Sequence, residues 1–120
     1  MDILIVDNDN SVLNSIKKAL ERAGYNCIIH NNLNNLSNIY KSNNFKVLIV
    51  DLFIGINNCF DFINEIIAYD KNAKIIIITG HERSEINQIE DKIFGFFQKP
   101  INLFDLIATL KKVESQKNNF

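Results

Sequence analysis

Residues 3–9 read ILIVDND: four apolar residues run without interruption into Asp7, Asn8 and Asp9. A β-branched run of this length suits a strand buried on both faces. Taken alone, acidic and amide groups at its end describe a turn or a helix N-cap. Working outward, similar apolar runs recur at residues 25–29, 47–50, 75–78 and 94–97, which predicts five strands. Between them lie segments of helical period. Val12, Leu13, Ile16, Ala19 and Leu20 follow the cap candidates Asn10 and Ser11, with Gly24 as the stop signal. Leu33, Leu36, Ile39 and Tyr40 form a weaker stripe, Phe62, Ile63, Ile66 and Ile67 a third, and Leu103, Leu106, Ile107, Leu110 and Val113 a strong last one. A further helix is expected within residues 84–92. Strands alternating with helices imply right-handed crossovers and a parallel sheet covered on both faces.

Composition narrows the partners. With 120 residues, 47% of them hydrophobic, the chain fits one domain that buries its own core, and a formal net charge of -1 offers neither a basic footprint for nucleic acid nor a field for an anionic membrane. Cys27 and Cys59 stand alone, without CxxC spacing or clustered histidines, and read as reduced packing residues. The start MDILIV lacks a basic leader, and KIIIITG is too short to span a bilayer, so a cytoplasmic protein is expected. The Asn-rich segment NNLNNLSNIYKSNN, residues 31–44, retains one apolar face and reads as a short helix. A polar tail is expected from about residue 114, with no output domain after Val113.

In an open parallel sheet, functional groups collect beyond the carboxyl ends of the strands, where the strand order reverses. The first strand leads into Asp7, the third into Asp51, the fourth into Thr79, and the fifth into Lys99 and Pro100. Each has a bland reading: Asp7 as a cap, Thr79 as a strand end, Lys99 as a solvated charge. Together, two carboxylates, a hydroxyl and an ammonium at one edge suit a divalent cation and a phosphoryl group, because hard oxygens hold magnesium while hydroxyl and ammonium meet phosphoryl oxygens. His30 reads as a surface residue at a strand end, and His81 as a loop residue beside this edge.

Over essentially its whole length, through ILIVDND, VLIVDL, IIIITG and FFQKP in that order, the chain resembles the receiver domains of two-component response regulators. The resemblance implies a flavodoxin-like (βα)5 three-layer sandwich of five parallel strands and five helices, one receiver domain over residues 1–120. It implies Asp51 as phosphoacceptor, a Mg2+ site from Asp7, Asn8, Asp51 and the backbone carbonyl of Phe53, phosphoryl contacts from Thr79 and Lys99, and a cis bond before Pro100. Phe96, three residues before the lysine, falls at the aromatic switch position and is either a moving switch or permanent core. Phe53 and His81 would flank the path of water to a phosphoryl group and set its lifetime. The donor would be a sensor histidine kinase or phosphotransfer protein, and the output an unknown partner or a domain outside this chain. Such a protein is no enzyme beyond slow self-phosphorylation and self-dephosphorylation.

Three departures stand out. Asn8 replaces the second acid of the metal pair, IGI replaces the usual Met-Pro-Gly after Asp51, and the interval from Thr79 to Lys99 is about two residues short and lacks the Gly-Ala ending of the fourth helix. Asp9 either caps the first helix or supplies the missing charge. The rival reading is a pseudo-receiver, an interaction module working without phosphorylation. A flavodoxin-like cofactor binder ranks third, because no Gly-rich phosphate loop follows the first strand.

Overall fold

The computed structural model describes residues 2–117. In chain order the elements are β1 (Asp2–Val6), α1 (Asn10–Arg22), β2 (Asn26–His30), α2 (Leu36–Ser42), β3 (Val47–Asp51), β4 (Phe53–Ile54), β5 (Asn57–Asn58), α3 (Phe60–Tyr69), β6 (Lys74–Thr79), β7 (Gly95–Gln98) and α4 (Leu103–Lys117). Five of the strands pair in parallel in the order β2-β1-β3-β6-β7. Counted within that sheet, this is the 2-1-3-4-5 order of the flavodoxin-like fold, with its switch point between β1 and β3.

The apolar runs end in step. Val6 lies opposite Val50, Asp51 opposite Ile78, and Thr79 opposite Gln98. Asp7, Asp51, Thr79 and Lys99 therefore emerge at one edge.

Alternation along the strands divides the core. Leu4, Val6, Leu48, Val50, Ile75 and Ile77 pack with α2 and α3, while Ile3, Ile5, Val47, Ile49, Ile76 and Ile78 pack with α1 and α4. Every one of these strand residues is fully buried, which is why the runs are continuous rather than alternating.

Local chemistry sets the boundaries. Asp9, not Asn10 or Ser11, caps α1: its side chain accepts from the backbone N–H groups of Ser11 and Val12. The helix closes at Ala23, and Gly24 follows at φ +98, where a side chain would be strained. The Asn-rich segment yields the seven-residue α2.

The fourth of the five expected helices is absent. Two 3-10 turns, Arg83–Ile86 and Glu90–Lys92, occupy the interval. The buried apolar residues here are Ile86 and Ile89, three apart, which suits three residues per turn better than an α-helical stripe. α4 continues into the polar segment expected from residue 114, as far as Lys117, and residues 118–120 lie outside the described residues. Cys27 and Cys59 are buried and free. Among the described residues no helix is long and apolar enough to cross a membrane.

Candidate functional site

Burial at the carboxyl edge is severe for polar groups: Asp7 and Thr79 are 0% exposed and Asp51 is 6% exposed. Two carboxylates so placed need a counter-charge. Lys99 provides it, with Nζ 2.7 Å from Asp7 Oδ2 and 2.9 Å from Asp51 Oδ2. One ammonium serves two acids. Burial raises the Asp51 carboxyl above its ordinary 3.8, and the hydrogen bond from Lys99 only partly opposes this. Burial pulls the Lys99 ammonium down, but its contacts with Asp7 and Asp51 outweigh that and leave it above 10.5.

The remaining oxygens separate the three acidic residues. Asp7 Oδ1 accepts from Asp9 N at 2.9 Å, and Asp51 Oδ1 from Phe53 N at 3.2 Å. Asp7 Oδ2 is buried with no aligned donor, Lys99 lying close but off the hydrogen-bond line. Asp9 is committed elsewhere: its Oδ1 accepts from Ser11 N at 2.9 Å, Ser11 Oγ at 2.7 Å and Val12 N at 3.3 Å. Its carboxyl is lowered, chiefly by the Ser11 hydroxyl. Of the two roles open to Asp9, the structure shows the cap.

The IGI departure becomes a β-hairpin. Phe53 pairs with Asn58 and Ile54 with Asn57, across a loop of Gly55 and Ile56. Gly55 has φ +64, which a type II′ turn requires at its first loop position. In a two-residue loop the flanking pair, Ile54 and Asn57, exchanges hydrogen bonds, and the next pair, Phe53 and Asn58, does not. The Phe53 carbonyl is therefore left outside the ladder.

Thus Asp7 Oδ2 and the Asp51 carboxylate, brought together at one ammonium, keep acceptor capacity that fits a hard divalent cation, and the Phe53 carbonyl two residues on is free of the ladder. Asn8 is exposed and adds no charge. Among the described residues no three His, Cys, Asp or Glu side chains gather for a metal.

Thr79 is held from both sides. Its carbonyl accepts from Lys99 N at 2.7 Å and its Oγ1 from His81 N at 3.1 Å, leaving the hydroxyl proton free to donate. The bond between Lys99 and Pro100 is cis. The rings of Phe53 and His81 meet with centroids 4.4 Å apart at 49°. Phe96 is half-buried against the α2 and α3 side of the core. His30 ends β2, its Nδ1 3.1 Å from the Asn32 carbonyl. One contact had no signal in the sequence: Arg83 lies over the Phe96 ring, Cζ to centroid 5.6 Å, and pairs with Glu90 at 2.8 Å.

A doubly wound parallel sheet that gathers acids, a hydroxyl and an ammonium at its switch-point edge defines a class of phosphoryl-responsive signalling domain. The chain belongs to the response regulator receiver domain family of two-component systems, whose family model matches residues 3–111. Similar curated proteins include the two-component response regulator PprB of Pseudomonas aeruginosa, 27% identical over 95% of this chain and 44% of that protein. The swarming motility regulation protein RssB of Serratia marcescens is 29% identical over 100% and 56% respectively. The chain thus spans about half the length of these relatives. The response regulator receiver protein CpdR of Brucella abortus, 26% identical, is covered over 94% of its length by 92% of this chain. Among solved structures, a two-component response regulator from Clostridium difficile has a TM-score of 0.89 at 21% identity, covering 99% of both chains. The response regulator TrrA of Thermotoga maritima, in complex with Mg2+-BeF, has a TM-score of 0.84 at 23% identity, covering 93% of this chain and 97% of that one.

Proposed function

We propose that the chain, a single receiver domain over residues 1–120, accepts a phosphoryl group on Asp51 from a phosphohistidine of a sensor kinase or phosphotransfer protein. The observation that carries this reading is Lys99, its ammonium bridging Asp7 and Asp51 at the sheet edge. A carboxylate oxygen of Asp51 attacks phosphorus in line, the bond to the donor imidazole breaks, and an acyl phosphate forms on Asp51. Burial makes this carboxylate more basic than in water, which favours the attack. The Thr79 hydroxyl donates to a phosphoryl oxygen and Lys99 pairs with another. Asp7, Asp51, the Phe53 carbonyl and the Asn8 amide would hold Mg2+, as the Mg2+-BeF complex of TrrA suggests by analogy. Bound there, magnesium supplies positive charge against the phosphoryl oxygens.

The protein then acts as a signalling phosphoacceptor in the cytoplasm, and catalyses nothing beyond slow self-phosphorylation and self-dephosphorylation. Its output runs through a separate protein or a further domain, and not through direct contact with nucleic acid or membrane. Nothing observed favours the pseudo-receiver reading.

Intact mass after incubation with acetyl phosphate and Mg2+ tests the proposal. The wild type is expected to gain one phosphoryl group and Asp51→Ala none; a folded wild type that stays unmodified overturns it.

Metal affinity gives a second test. An amide at position 8 removes one charge from the oxygen set, and Asp9 is spent as a cap. Asn8→Asp is expected to tighten Mg2+ binding about ten-fold in calorimetric titration. Equal or weaker binding removes residue 8 from the metal site.

A further inference from the structure

Where a fourth helix was expected, residues 83–92 form two 3-10 turns closed by one ion pair. Arg83 Nε donates to Glu90 Oε1 at 2.8 Å, joining the first turn to the second. The same guanidinium lies over the Phe96 ring at 5.6 Å, within cation–π range. Beneath it, Ile86 and Ile89 are buried in the same core face that Phe96 packs against. Glu90 thus fixes Arg83, and Arg83 covers Phe96.

The segment is tied to the candidate site at its other end. Thr79 Oγ1 accepts from His81 N, two residues before Arg83, so a shift of that hydroxyl carries the backbone leading into the first turn. Phe96 in turn pairs with Ile77, two residues before Thr79 on the adjacent strand. Both routes from Thr79 end at the contact between Arg83 and Phe96.

We infer that Arg83 and Glu90 form a latch that holds Phe96 and residues 83–92 in the unphosphorylated arrangement, and that loading Asp51 has to release it. The inference rests on the phosphoacceptor reading, and it makes Phe96 a switch restrained from outside. Two exposed contacts of this kind are weak individually, which a reversible device requires. By linkage, an interaction made only in the unloaded state weakens binding of any ligand that favours the loaded one, and removing it tightens that ligand.

The test uses the full chain, with beryllium fluoride in excess Mg2+ as the phosphoryl mimic. Glu90→Gln and Arg83→Met are each expected to tighten beryllium fluoride about three-fold. The double variant should gain no more than the better single one, because both remove the same latch. Glu85→Gln, in the same segment but in no ion pair among the described residues, should match the wild type. In the ligand-free protein, hydrogen exchange of amides 83–92 should quicken in both latch variants. Unchanged affinity and exchange in both, beside a wild type that binds, overturn the latch alone. A folded wild type that binds no beryllium fluoride overturns the phosphoacceptor reading and the latch with it.

Discussion

Lys99→Met is expected to lose about 2–3 kcal/mol of stability at pH 7 in urea unfolding. Methionine keeps most of the stem's packing but leaves two carboxylates at the sheet edge without a counter-charge, and stranding buried charge is among the costlier single changes. The figure sits below the range for a fully buried pair because the Lys99 side chain is 24% exposed. Lys99 has a folded-state pKa above 10.5, so its contribution is fully present below 10.5 and is lost as pH rises through the raised value. Asp51 runs the other way. Its folded pKa lies above 3.8, so the folded state binds the proton more tightly, and ionisation costs stability at every pH above the raised value. Asp51→Asn should therefore be more stable than the wild type at pH 7, a gain that disappears as pH falls below 3.8. The Lys99→Met deficit should shrink over the same acid range, and excess Mg2+ should restore part of it. If Lys99→Met and wild type unfold alike at pH 7, the bridge is not a structural counter-charge.

Phe53→Asn is expected to shorten the lifetime of phosphorylated protein about ten-fold, measured as decay after donor removal in excess Mg2+. Hydrolysis needs a water in line with phosphorus, and the tilted, touching rings of Phe53 and His81, two residues beyond Asp51 and Thr79, are taken as an apolar cover on that approach. Asparagine opens that cover and offers a group that orients water. His81→Ala removes only the outer, exposed ring and should accelerate decay two- to three-fold at most. Decay of Phe53→Asn no faster than wild type removes the cover from the account of lifetime.

The sheet and the convergence of Asp7, Asp51, Thr79 and Lys99 were legible in the sequence because each polar residue ends a continuous buried run. Period and position then carried the same message. The cap of α1 was left open among three residues because Asp9, Asn10 and Ser11 are all good caps, and only the hydrogen bonds of Asp9 choose among them. The hairpin after Asp51 was missed for a different reason: its signal is Gly55 alone, flanked by isoleucines that read as a strand or a loop equally well. The missing helix was half visible in the three-residue spacing of Ile86 and Ile89. The pairing of Arg83 with Glu90 over Phe96 depends on how two 3-10 turns fold back on the strand that follows them, and no hydrophobic period encodes that.

The sheet separates two cores that share no side chain, one under α2, α3 and the 3-10 turns, the other under α1 and α4. Phe96 belongs to the first. A rearrangement confined to that core need move no side chain of the α1 and α4 core, so a partner gripping the α1 and α4 face can meet the same surface in either arrangement of Phe96. Recognition and readout are thereby separable traits: substitutions on one side can exchange one correspondent for another without altering what the other side reports.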